Sequence, residues 1–543
     1  MFLSDYGCIF EKCCKVKENK WFNIIINGKT YFCINLIAFI TMKKSLSIML
    51  CAVLFVAVRA EINLANVLTS NMVLQQGKVV NIWGKADPGA RLTISFAGQH
   101  KETLVNADSS WMLNLDPMPA SFEPRILKLR LMKKSAETEE LQLENILVGE
   151  VWICGGQSNM EYPMDRSLKR YAAPARGADL AEQEWRSGGN KNVRLMLVEK
   201  VLSLPDCTTK GWQECAANSL AYFSAAAYYF GKNIQEELDV PVGLIASSWG
   251  GSRIEAWIPE EDYKEAAFYQ KECSQHPAVN RKIGHFYRSM IEPLAPYALR
   301  GAIWYQGESD AMLHDSLYVE KFKLMTTVWR NIFDQAEMPF YYVQIAPYLY
   351  TNRKRDPYLH TPQTMAEFCA LQTQCLELPF TGQAVVTDLV DNLTDIHPSY
   401  KWEVGRRLAL WALAKDYGFR KVVYSGPVLK SAKLCRKKIV LRFDQTGSGL
   451  TAGERDVQDQ FGALKRKTSL SWFELECEDG SLMSVEARVA LPWWFFGKSR
   501  NRVKVILPPN VKAKSLRFAW DEKARPNFFN KEGLPAVPFR HTF

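Results

Sequence analysis

Histidine is scarce in this chain, with seven residues in 543. Any chemistry that needs an imidazole therefore has few candidates, and no cysteine–histidine group shows zinc-site spacing, so no metal is expected. The net charge of +10 is spread along the chain without a basic block. No nucleic-acid motif is present either, which excludes nucleic acid as a partner and leaves the charge as solvated surface. After residue 60 no apolar run reaches membrane-spanning length. Internal repeats and low-complexity tracts are also missing, so the length implies two or three ordinary domains.

The N-terminal region stands apart. Met42-Lys43-Lys44 and the apolar run Ser45–Ala57 have the basic start and short core of a signal peptide. Val58 and Ala60 supply the small residues for cleavage before Glu61. Residues 1–41 then read as an upstream extension and 42–60 as the signal, pointing to export into the secretory pathway, lysosomal or secreted. Cleavage leaves Cys154, Cys207, Cys215, Cys273, Cys369, Cys375, Cys435 and Cys477, an even number that suits an oxidising compartment. Cys207 and Cys215 flank a turn-like Thr-Thr-Lys-Gly and are a candidate disulfide. Asn392-Leu393-Thr394 is a glycosylation sequon.

Between residues 61 and 145, short alternating stretches such as Arg91–Phe96, separated by turn residues, have the spacing of a small β-sandwich. From 146 to 424 the pattern changes. Strand-like runs at Val242–Ser247, Arg300–Tyr305, Phe340–Ala346 and Gln383–Thr387 alternate with helix-like segments near 219–238, 318–334, 362–378 and 401–417. That alternation predicts an open, mostly parallel α/β sheet. Short strands return from 425 to 543, giving a second β domain.

Open α/β sheets bind ligands beyond the carboxyl ends of their strands, and four such ends carry unusual residues. The run Ile146–Cys154 stops at Gly155-Gly156-Gln157-Ser158-Asn159-Met160, which exposes a serine. The second end is followed by Trp249-Gly250-Gly251-Ser252-Arg253-Ile254-Glu255-Ala256-Trp257. Its paired glycines let backbone N–H groups approach a ligand. The third gives Trp304-Tyr305-Gln306-Gly307-Glu308-Ser309-Asp310, with an amide that can donate to an oxyanion. The fourth leads to Asp395-Ile396-His397-Pro398. A serine, a base and a carboxylate thus share one sheet edge, an arrangement that nucleophilic acyl transfer can use.

Together these four motifs resemble the sialate O-acetylesterases, within the SGNH-hydrolase superfamily. The resemblance extends to the closing Glu532–Phe539. It implies a flavodoxin-like α/β core with N- and C-terminal β-sandwich-like flanks, and a cofactor-free serine esterase acting on O-acetylated sialic acids. It implies Ser158 as nucleophile, His397 as base, and the Ser158 and Gly251 N–H groups with Gln306 as oxyanion donors. Superfamily members place the aspartate three residues before the histidine, where this chain has Thr394. Asp395 is two before, so either Asp395 or a backbone carbonyl orients His397. Arg253 is a candidate for the sugar carboxylate, or a structural ion pair with Glu255 or another acid. Trp249, Trp257 and Trp304 are candidate sugar platforms, Trp249 foremost, with packing under the loops the reading for at least two of the three. A xylan-type acetylesterase would use the same motifs, and a non-catalytic glycan-binding protein is the reading from another class. Oligomeric state is not legible.

Overall fold

A computed structural model describes residues 23–26, 29–32 and 62–543, apart from 134–137, 203–205, 276–281, 456–463 and 491–500. Met1–Glu61 forms one compact unit and Ile62–Phe543 a second. In the first, Asn23–Ile26 pairs antiparallel with Lys29–Phe32. The signal-like segment 42–60 lies outside the described residues.

The second unit is organised by β1, a 19-residue strand spanning Thr138–Gly156. Its first half pairs antiparallel with Ser121–Met132, inside a β layer that also contains Arg91–Phe96 and Gln99–Leu104. Its second half is the middle of the α/β sheet, lying parallel to both Val242–Ser248 and Gly301–Tyr305. With β2 (Val193–Val198), β3 (Thr209–Glu214), β4 (Val242–Ser248), β5 (Gly301–Tyr305), β6 (Phe340–Val343) and β7 (Thr381–Ala384), the order is β3-β2-β4-β1-β5-β6-β7. Only the edge strand β3 runs antiparallel to its neighbour in this path.

The central strands are buried on both faces, which is why they read as continuous apolar runs rather than alternating ones. Trp152 and Cys154 of β1 face one apolar cluster, and Val151 and Ile153 face another. Helices α1 (Ala225–Leu238), α2 (Tyr318–Ile332), α3 (Thr364–Gln374) and α4 (Lys401–Lys415) sit between the strands in sequence. Ser224 caps α1 by accepting from the Ala227 N–H, and Asp239 ends it in a left-handed conformation. Helix α4 lies close against α1 at Gly405, where a Cβ would meet Phe230 N at 2.6 Å. Beyond α4, strands from Val428 to Thr542 enclose a separate apolar cluster around Phe443, Phe473, Phe518 and Phe528.

One expectation fails here. Cys207 and Cys215 are unpaired and buried. The chain between them is the extended β3 rather than a turn, which holds its ends roughly 20–25 Å apart. Burial pushes both thiols up to about 12, so neither is poised to react.

Candidate active site

Register brings the motifs together. Gly156 stands opposite Ser248 on one side and Tyr305 on the other, so three strands finish level with one another. Gly156 has φ +142°, and a Cβ there would meet Tyr305 O at 2.2 Å. Only glycine lets the chain leave the sheet at this point, and Ser158 then opens the short helix Ser158–Glu161.

His397 arrives from the loop after β7. Its Nε2 lies 2.9 Å from Ser158 Oγ, the distance of a formed hydrogen bond between nucleophile and base. The imidazole packs on Tyr171 at 4.6 Å between ring centroids, and Tyr171 stacks on Tyr162 at the same spacing. Asp395 Oδ1 accepts from the His397 backbone N–H at 2.9 Å and lies 3.4 Å from Nδ1. The carboxylate two residues upstream therefore does reach the imidazole, by folding back over its own turn. Burial raises the Asp395 pKa, but the bonds from His397 outweigh it and hold the carboxyl below its ordinary value.

The second motif closes over Ser158. Trp249 N–H donates to Gly156 O at 3.0 Å, and Gly250 N–H to Glu161 Oε2 at 2.7 Å. A Cβ on Gly250 would stand 3.5 Å from Ser158 Cβ. Glu161, one turn after the serine, thus pins the glycine loop beside it; burial raises the Glu161 pKa, and Lys169 and Lys200 more than reverse this. Gly251 is exposed with φ +74°, a left-handed turn at the mouth of an open cleft of about 590 Å³. Trp249 and Phe286 line that cleft and stack at 4.6 Å, with Lys282, His285 and Arg353 around them.

One residue differs from the sequence reading, and another takes one of its two alternatives. Gln306 is fully buried, and its Nε2 donates to Ser252 O at 3.2 Å and to Asp310. Both amide N–H groups are spent, so Gln306 is not free to donate to an oxyanion in this arrangement. Arg253 lines the cleft but faces inward: Glu255 lies at 2.9 Å, and Glu272, Asp310 and Asp315 within 3.5 to 3.6 Å. Lys321 joins the same cluster. A substrate carboxylate would meet four acids around this guanidinium, so Arg253 is a structural ion rather than a substrate clamp. Burial pushes Asp310 up to about 8. Arg253 and Lys321 bring positive charge to these acids.

Trp257 and Trp304 are buried and meet edge to face at 5.7 Å, as packing residues do. Asn392 is exposed, its Oδ1 accepting from Thr394. The sequence reading missed Asn159, Glu308 and Lys401, which lie buried behind the serine. Asn159 and Glu308 sit inside the motifs, whereas Lys401 has no local signal beyond its place at the start of a helix. No helix among the described residues is long and apolar enough to cross a membrane.

Known proteins resemble this chain over most of its length. Residues 208–409 match the family described as carbohydrate esterase, sialic acid-specific acetylesterase. The sialate O-acetylesterase of Homo sapiens is 31% identical over 410 residues, covering 69% of this chain and 75% of that protein. That of Pongo abelii is 30% identical over 515 residues, covering 88% and 91%. A solved carbohydrate acetylesterase from Xanthomonas citri superposes with a TM-score of 0.72 at 29% identity, covering 89% of this chain and 99% of that one. This chain belongs to the sialate O-acetylesterase family.

Proposed function

We propose that the chain is a serine esterase that removes O-acetyl groups, including those at the 9-position, from sialic acids. The observation that carries this reading is the 2.9 Å contact between Ser158 Oγ and His397 Nε2. As Oγ attacks the acetyl carbonyl, Nε2 takes its proton and the carbonyl oxygen becomes an oxyanion. The Ser158 and Gly251 N–H groups stabilise that oxygen, each such donor being worth about 100- to 1,000-fold in rate. His397 then returns the proton to the departing sugar hydroxyl. Water, deprotonated by the same imidazole, hydrolyses the acetyl-enzyme. No cofactor enters these steps.

The sugar ring lies against Trp249, and its carboxylate meets the outer cation Lys282 rather than Arg253. An SGNH-type core over 146–424, carrying β modules at 61–145 and 425–543, is the architecture this reading uses. Cleavage after Ala60 and a glycan on Asn392 fit passage through the secretory pathway to a lysosome or the exterior.

Ser158→Ala should abolish acetyl release from p-nitrophenyl acetate and from O-acetylated sialic acid while leaving the melting temperature unchanged. Turnover within tenfold of the unmodified chain would refute the assignment, as would failure of a fluorophosphonate to label Ser158. Acetyl release from position-defined O-acetyl sialic acids, set against acetylated xylan, fixes the substrate class.

A further inference from the structure

Asn159, directly after the serine, is completely buried. Its Nδ2 donates to the carbonyl of Ile396 at 3.0 Å and to Glu308 Oε1 at 2.5 Å. Its Oδ1 accepts from Lys401 Nζ at 2.7 Å. Both N–H donors and the carbonyl of this amide are therefore engaged. Glu308 and Lys401 are themselves 1% and 0% exposed. Lys401 lies over the rings of Tyr162 and Tyr305, at 4.7 and 5.1 Å from their centroids.

Burying two opposite charges this deeply is expensive, and apolar residues of similar volume commonly serve stability as well or better. Burial drives Lys401 down to about 7 and Glu308 upward, against the pull each exerts on the other. What the arrangement does is mechanical. Ile396 immediately precedes His397, and one peptide plane carries both the Ile396 carbonyl and the His397 N–H. Asn159 holds the carbonyl edge of that plane, and Asp395 holds the N–H edge at 2.9 Å. A peptide gripped at both edges fixes the direction in which the His397 side chain leaves the backbone.

We propose that Asn159, anchored by Glu308 and Lys401, is a positioning residue that aims His397 at Ser158. The inference rests on Ser158 and His397 acting as nucleophile and base. The device joins parts of the first, third and fourth motifs and the first turn of α4, so the nucleophile's own neighbour sets the placement of its base.

A double-mutant cycle tests it, with acetyl release from p-nitrophenyl acetate as the reaction. Asn159→Ala should lower kcat about 10- to 100-fold, the scale of a misplacement near 1 Å, and change KM by less than about threefold. In a His397→Ala background the same substitution should alter the residual rate by less than about twofold, because it acts through the imidazole. Equal loss in both backgrounds, or no loss of kcat in the first, overturns the proposal. Lys401→Met should reproduce the kcat loss and be non-additive with Asn159→Ala, and it carries the same cycle if Asn159→Ala does not fold. Near-normal turnover by His397→Ala alone would overturn the catalytic reading along with this one, and so is distinguishable from failure of the clamp.

Discussion

Asp395 holds two groups of the same histidine, the backbone N–H at 2.9 Å and Nδ1 at 3.4 Å. The closer partner is the main chain, so part of its work is to shape the turn. Asp395→Ala should therefore cost less than loss of the serine, about 10- to 100-fold in kcat, against the roughly 10,000-fold seen when the aspartate of a full triad is replaced. Steady-state acetyl release measures this, and a loss near 10,000-fold would mean that the Nδ1 contact dominates. Acid stability gives a second reading. The folded pKa is held below the ordinary value, so the unfolded chain binds the proton more readily. The stabilisation is present above pH 3.8, lost as pH falls through the folded pKa, and absent in Asp395→Ala. Urea unfolding from pH 5 downward should show a shallower decline for the variant than for the unmodified chain. The residue types of this site could be read from the motifs, whereas their orientations could not. Arg253 and Gln306 both sit in motifs, yet Glu255, Asp310, Asp315 and Ser252 turn them inward, because buried charge and amide groups must find partners before any substrate arrives.

Among the elements, the turn out of β1 carries the most consequence. Gly156 combines φ +142° with a neighbouring carbonyl 2.2 Å from where a Cβ would stand. Gly156→Ala must push β5 away or rotate the turn, and either displaces Ser158. We expect a lower melting temperature together with a kcat/KM reduced at least 100-fold, measured by calorimetry and acetyl release on the same preparation. Unchanged activity would mean that the turn does not set the serine's position. The central strands β4 and β5 were legible because burial on both faces demands unbroken apolar runs. The edge pair was not. Thr209-Lys210-Gly211 looks like a turn in sequence, but in the fold it begins β3, with Gly211 at φ +79° beside the Thr69 side chain. That pairing is imposed from a distance, by β2 and by residues near the start of the second unit, and no local pattern announces it.

At the scale of the whole second unit, the loop between the C-terminal strands Ala513–Phe518 and Phe528–Asn530 reaches back to the walls of the cleft. Glu522 is buried; it accepts from Thr351 N–H at 3.0 Å and from the Thr351 hydroxyl, while its own N–H donates to Pro362 O at 2.7 Å. Arg525 Nη2 donates to the carbonyl of Asp391, on the loop that leads to His397. The segment held by Glu522 carries Arg353 and Asp356, which line the cleft. Glu522→Ala would leave the Thr351 N–H and hydroxyl without their acceptor, at a cost of about 1–3 kcal/mol for a buried donor. The variant should melt at a lower temperature and exchange amide hydrogens faster at 350–353. Because this segment lines the cleft and does not carry the nucleophile, KM for O-acetylated sialic acid should rise several-fold while kcat stays within about twofold. A small activated ester, which does not fill the cleft, should show neither change. Faster exchange with an unaltered KM would mean that the C-terminal loop braces the segment without shaping the cleft.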